Sequence, residues 1–366
     1  MIAEIILIAI LVSAACAIPG VFLVLRKMSL MSDAISHAVL PGIVIGFLMT
    51  RSLSSPLLFI GAVGTGLLTV VLTESLVKTG LVKEDAAIGL VFPALFSIGV
   101  ILVSRYTGNV HLDIDAVLLG ELVFTPLDRI TLFGYDMGPR MAWVMGLILI
   151  LNIGVLLLFF KEMKIATFDP GLSKSLGFSP VLLQYILMIS VSITTVGAFD
   201  AVGSILVVAL MIAPATTAYL LTDDLKSMIV LSVIIGVVSS VLGFLVAWAL
   251  DASAAGAMAS MCGVAFLLAF LFAPDRGLVS QIRRRQSQKL EFAVTMLTIH
   301  LSHHRSEEQC DLECHEKHLT EHINWDKHFA GQVVKKAIGE GMITSSQGLL
   351  RLTQAGEQNV QAAMMR

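Results

Sequence analysis

Long apolar runs divided by short polar breaks fill the first three quarters of the 366-residue chain. A helix needs about 20 apolar residues to cross a bilayer core. Runs of that kind fall near residues 5–25, 30–50, 56–76, 86–104, 141–160, 180–199, 201–221, 227–250 and 253–273, which predicts eight or nine spans. Residues 180 to 221 hold two runs with only Phe199-Asp200-Ala201 between them, so a broken or re-entrant pair is expected there. Glu4 is the only charge before Arg26, and the N-terminal run therefore reads as a first span rather than a cleaved signal.

Three stretches break this pattern. In 105–140, apolar Val110, Ile114, Val117, Leu118 and Leu122 recur at helical spacing, which predicts a short amphipathic or re-entrant helix, while the H-L-D-I-D start equally suits an extended loop. In Lys161–Pro180, Asp169 is placed to cap a helix of about two turns, with Pro170 at its first position and Gly177 suited to end it. After Arg283-Arg284-Arg285, apolar positions at helical spacing in Gln288–Leu301 and Trp325–Glu340 predict two helices. Residues 341–357 then predict two strands turned at Ser345 to Gly348, and a last helix. Helices followed by a small hairpin resemble the winged helix of metal-dependent repressors of the iron and manganese type.

The expected fold is thus an all-α polytopic membrane domain over residues 1–280 and a small α+β winged-helix-like domain over 281–366. Composition agrees, since 56 % of residues are hydrophobic and only 14 % charged, against about 25 % in soluble domains. The last 86 residues hold 11 Lys and Arg against 10 Asp and Glu, so they lack the basic face that DNA binding requires. That stretch reads as a regulatory or interaction module, and DNA is not an expected partner. Basic residues in the short loops place Arg26, Lys27, Lys78, Lys83, Lys161, Lys164, Lys174 and Lys226 in the cytoplasm with the C-terminal domain, and the N-terminus outside.

Candidate chemistry centres on Ser29–Leu40. Asp33 and His37 are four residues apart, hence on one helical face about 6 Å apart along the axis. Ionisable residues within a span are costly and are functional candidates by default. A carboxylate with an imidazole suits Mn²⁺, Zn²⁺ or Fe²⁺ better than the all-oxygen preferences of Ca²⁺ and Mg²⁺. The competing reading is a water-facing helix-end Asp with His37 satisfied by a neighbouring helix. Asp200 and Pro214, within a run rich in small residues, suit a pathway or gate and equally suit close helix packing. In the C-terminal domain Cys310, Cys314, His318 and His322 recur every four residues and on a helix would share a face able to hold Zn²⁺ or Mn²⁺ for regulation; an exposed His-rich helix is the alternative. The chain contains no G-x-x-x-x-G-K-[ST] motif, so transport would draw energy from a partner or an ion gradient.

Six ordered segments resemble the ABC-3 family, the permeases of ATP-binding-cassette importers for manganese, zinc and ferrous iron. They are L-M-S-D-A-I-S-H-A-V-L-P-G (30–42), E-D-A-A-I-G-L-V-F-P-A-L-F-S-I-G (84–99), V-H-L-D-I-D-A-V-L-L-G (110–120), F-K-E-M-K-I-A-T-F-D-P-G-L-S-K-S-L-G (160–177), F-D-A-V-G-S-I-L-V-V-A-L-M-I-A-P-A-T-T-A-Y-L-L (199–221) and A-W-A-L-D-A-S-A-A-G (247–256). The resemblance implies a bacterial cytoplasmic-membrane permease, not itself an enzyme, paired with a second permease chain, identical or paralogous. Two ATPase subunits and an external metal-binding protein complete the implied assembly. It puts the family's acid and histidine on Asp33 and His37. The ATPase-coupling helix falls on Asp169, Pro170, Leu172, Leu176 and Gly177. Asp200 stands where the family's F-E-A-V-G pattern has Glu. Two other functions fit less of the chain: a permease for a metal chelate such as a siderophore or cobalamin, and a membrane-anchored metal-sensing regulator.

Overall fold

The computed structural model describes residues 1–52, 55–106, 122–132, 135–304, 314–321 and 325–365. Two compact units divide the chain, Met1–Pro274 and Asp275–Arg366.

The first unit is built from α1 (Ile2–Leu25), α2 (Leu30–Ala38), α3 (Leu40–Thr50), α4 (Pro56–Lys78), α5 (Glu84–Tyr106), strands β1 (Arg129–Leu132) and β2 (Tyr135–Pro139), α6 (Arg140–Phe168), α7 (Pro170–Ser175), α8 (Pro180–Leu221), α9 (Leu225–Leu250) and α10 (Ala254–Phe272). Eight candidate membrane spans are found among the described residues, with α2 and α3 counted as one 21-residue run. Helix starts follow local chemistry. Ser55, Asp169, Ser179, Asp224 and Ser253 each accept a hydrogen bond from a backbone N–H in the first turn of the helix they precede, satisfying donors no carbonyl reaches.

The 42-residue α8 is two helices joined at Gly203, whose φ of +76° and ψ of 166° no helix contains. Such a backbone is open to glycine and strained for other residues. At 1.5 Å per residue a straight α8 would be about 63 Å long, twice a bilayer core. Neighbours show that it turns back instead. Near its start, Gln184 donates to Glu74 at the Lys78 end of α4. Just past its end, the Lys226 ammonium lies over the ring of Phe160, late in α6. Between them Asp200 sits within Coulombic reach of Arg140, the first residue of α6. Both ends of α8 therefore share one end of the bundle and its middle lies at the other. The expected broken pair is present, with the break at Gly203 rather than at Phe199–Ala201.

The centre of the unit is α1, packed against α6, α8 and α9 and buried along most of its length. Its interior is not wholly apolar. Asn152 of α6, 2 % exposed, donates from Nδ2 to the Ala15 carbonyl (2.9 Å) and to Thr194 Oγ1 (2.8 Å), and its Oδ1 accepts from Ser190 Oγ (2.6 Å). One carboxamide thus ties α1, α6 and α8. Away from water such side-chain bonds contribute about 0.6–2 kcal/mol each.

The helix expected within 105–140 falls largely on residues 107–121, outside the described residues. Beyond it lies an antiparallel hairpin of β1 and β2, with Thr131 opposite Asp136, which periodicity did not predict. Arg129 holds it, donating from Nε to Asp136 (2.6 Å) and from Nη2 to Glu4 of α1 (3.0 Å).

The second unit contains α11 (Leu278–His303), α12 (His318–Glu321), α13 (Lys327–Gly339), strands β3 (Ile343–Ser346) and β4 (Leu349–Leu352) and α14 (Gln354–Met364). Val294, Leu297 and Leu301 of α11 pack with Val333, Val334 and Ala337 of α13, and with Ile343 and Leu350 of the strands. The strands join through Gln347 and Gly348, both at positive φ, as a two-residue hairpin turn requires.

Candidate functional site

Helix α2 packs against α4, α5 and α8, which bury Met31, Ser32, Ala34, Ile35, Ser36 and Ala38. One stripe stays open in the single chain: Leu30 is exposed, and the Asp33 and His37 side chains keep 43 % and 32 % of their surface. The i,i+4 spacing brings His37 Nε2 to 3.4 Å from Asp33 Oδ1. Phe92 and Phe96 of α5 flank the imidazole at ring-centre distances of 5.9 and 6.5 Å, the second edge-on. The ring is thus held by an apolar wall on one side while its nitrogen and the carboxylate face the open stripe. Both donors can turn to one cation from this position.

Among the described residues no third His, Cys, Asp or Glu joins them in a group able to hold a metal ion. Two such side chains offer a cation only part of a coordination shell. Asp33 lies seven residues from Arg26, toward the bundle end where Arg26 Nε donates to Thr167 Oγ1 (3.1 Å). Asp200 is exposed near Arg140 at the opposite end. Pro214 is buried in α8, its ring over Gly236 of α9 with Ser13 of α1 beside it. The structure does not bring Asp200 or Pro214 to the Asp33–His37 pair.

The short helix α7 has the predicted build. Asp169 Oδ1 accepts from the Leu172 N–H at 2.9 Å, Pro170 fills the first turn, and Gly177 takes φ +85° just beyond the end. Ser173 is buried, and the Phe178 N–H donates back to its carbonyl. Leu172 and Leu176 are left exposed, with Phe168 and Phe178 beside them. The helix thus leaves its leucines unpacked by the rest of the unit.

The expected Cys/His face of the second unit is corrected. Cys310 and His322 lie outside the described residues, but Cys314 and His318 are not on one helix. The Leu350 N–H donates to the Cys314 carbonyl, the Glu316 N–H donates to the Gly348 carbonyl, and His315 bridges to Leu349, so residues 314–316 pair with the β3–β4 hairpin. Backbone groups engaged across strands cannot form an i to i+4 ladder, and α12 begins only at His318. His318 instead stacks 6.1 Å from His300, which lies 4.6 Å from His304. The part of His300 was not apparent from the spacing of the later residues.

An acid and an imidazole side by side on a polytopic helical bundle, with a capped helix exposed between spans, define a membrane transport subunit. Residues 1–273 match the ABC 3 transport family, and the chain belongs to that family. It is 52 % identical over 361 residues to the zinc transport system membrane protein TroD of Treponema pallidum, a match covering 99 % of this chain and 98 % of TroD. It is 48 % identical over 284 residues to the manganese transport system membrane protein MntD of Bacillus subtilis, covering 78 % of this chain and 96 % of MntD. Among solved structures it resembles PsaBC from Streptococcus pneumoniae, in complex with Fab, with TM-score 0.63 and 31 % identity over 75 % of this chain and 92 % of that one. The similarity to TroD thus runs through the second unit, whereas that to MntD covers about the length of the first.

Proposed function

We propose that the chain is the membrane permease subunit of an ATP-binding-cassette importer that carries a divalent transition metal, Zn²⁺ or Mn²⁺ with Fe²⁺ in the same chemical class, into the bacterial cytoplasm. A separate ATPase hydrolyses the nucleotide, and an extracytoplasmic metal-binding protein delivers the ion. The observation that carries this reading is Asp33 beside His37 on the one open stripe of an otherwise packed helix. A second permease chain, identical or paralogous, would set a matching helix against that stripe and complete the shell.

A borderline-soft nitrogen with a hard carboxylate favours transition metals. Two ligands per chain hold the ion weakly enough to release it, as conduction demands. Asp200 and Pro214 would act at a distance from the ion, at the outer turn of α8 and in its second leg. Asp169, Pro170 and Gly177 shape α7, and Leu172 and Leu176 would enter a groove of the ATPase. The excess of basic residues in the short loops supports a cytoplasmic side for this end and for the C-terminal unit. That unit reads as a winged-helix-like regulatory module, on the support of its helix order and its β3–β4 hairpin.

Uptake of radiolabelled Mn²⁺ and Zn²⁺ by cells co-expressing the chain with its ATPase and partner permease tests the central assignment. Asp33→Asn and His37→Ala are each expected to lower uptake at least about tenfold, the effect of about 1.4 kcal/mol on ion binding. Undiminished uptake by both variants removes the ion-contact role.

A further inference from the structure

At the bundle end where Arg26 meets Thr167, a cavity of about 570 Å³ opens between the α1–α2 junction, the end of α4, the start of α5, α7 and the start of α8. Six charged side chains line it: Arg26, Lys27, Lys78, Lys174, Glu74 and Glu84. Glu74 is already satisfied. Its Oε1 accepts from Gln184 Nε2 (2.6 Å), and its Oε2 accepts from the Tyr185 hydroxyl (3.0 Å) and from Lys78 Nζ (3.4 Å).

Three other groups are not satisfied among the described residues. Arg26 Nη2, the Thr73 hydroxyl and Glu84 Oε1 are buried and have no hydrogen-bond partner there, and Thr73 is only 1 % exposed. Buried polar atoms of this kind are rare because each leaves a desolvation cost unrecovered. Once turned into the cavity they line, the Arg26 and Glu84 side chains suit one occupant with two properties. It must bring anionic oxygens to Arg26, and it must donate a hydrogen bond to Glu84. Lys27 and Lys174, neither held by a carboxylate in the cavity, add to the pull on an anion.

We infer that this cavity binds a phospholipid headgroup with its phosphate on Arg26, Lys27 and Lys174, and with a terminal hydroxyl or ammonium N–H on Glu84. Basic pockets between spans at headgroup level are suited to this, and a guanidinium is the side chain best matched to phosphate oxygens. The requirement for a donor selects phosphoglycerol and phosphoethanolamine and excludes phosphocholine, whose quaternary nitrogen carries no hydrogen. Pro170 and Lys174 belong to the cavity wall, so the headgroup braces α7 from behind. The inference is independent of which ion is carried.

The test is lipid retention by the purified full-length chain, read by native mass spectrometry after exchange into phosphatidylglycerol, phosphatidylethanolamine or phosphatidylcholine of equal acyl length. One molecule of either donor-bearing lipid should be retained, with phosphatidylcholine at least about tenfold weaker. Arg26→Gln should weaken retention of all three lipids, Glu84→Ala should remove the preference among them, and Lys161→Gln, exposed near the same end but outside the cavity, should keep both. Should Arg26→Gln fail to fold, Lys174→Gln on the exposed α7 surface is expected to weaken retention in the same sense. Equal retention of all three lipids, or wild-type retention by the Arg26 and Lys174 variants, overturns the assignment. Full displacement of the lipid by millimolar inorganic phosphate or glycerol phosphate also overturns it, since the site would then belong to a soluble anion.

Discussion

Gly42 of α3 and Gly61 of α4 face each other so closely that a Cβ on either would overlap the carbonyl of the other. The two backbones meet without side chains between them, as helices in a membrane do at small residues. Gly61→Val must therefore move backbone against backbone, and overpacking of this kind costs about 1–3 kcal/mol. A lowered thermal unfolding midpoint of the purified chain is the expected result. Because α3 continues from α2, metal uptake should fall with it; an unchanged midpoint would mean that the two helices do not cross here.

Asn152 holds three helices through bonds of 2.6 to 2.9 Å. Asn152→Leu keeps the branched shape, removes those bonds and leaves Ser190 and Thr194 without that partner. The expected loss is about 2 kcal/mol or more, seen as earlier thermal aggregation in detergent. An equal melting profile would show that the network contributes nothing.

The leucines of α7 point away from the bundle, so changing them leaves its packing alone. Leu172→Asp together with Leu176→Asp should preserve expression and folding while abolishing co-purification of the ATPase and metal uptake. A stable complex retained by the double variant would remove α7 as the docking helix.

The hairpin of β1 and β2 carries its own pH dependence. The Arg129 guanidinium, with help from the Gly138 N–H, holds the Asp136 carboxyl below its usual range. A depressed folded-state pKa stabilises at every pH above the unfolded value of about 3.9, and that stabilisation is lost as pH falls through the lower folded value. Amide exchange of residues 129–132 and 135–138, corrected for intrinsic rate, should be flat from neutral pH to about pH 5. Opening is expected only in stronger acid, and Asp136→Asn should remove that acid-dependent step.

What the amino-acid order made legible was local. Apolar runs placed the spans, Asp169-Pro170 placed α7, and a spacing of four placed His37 over Asp33. The surroundings of that pair could not be read, because Phe92 and Phe96 arrive from a helix more than fifty residues on. The role of Asn152 leaves no mark in the local sequence, since its partners lie on other helices. The same weakness produced the error at Cys314 and His318, where a four-residue spacing suggested a helix but pairing with Leu349 and Leu350 took the backbone. Charge and spacing along 129–139 gave no warning of a hairpin whose Arg129 also reaches Glu4, far back in the chain.

The return of α8 upon itself gives this one helix the form of a pair of tongs. Four residues, 176–179, link α7 to the first leg, and the second leg ends beside the same face of the bundle. Force applied at α7 therefore reaches the near tip of one arm, while the arms are joined only at the far side by a single residue without a side chain. Any change in their spread must be taken up at Gly203, at the end of the bundle opposite α7.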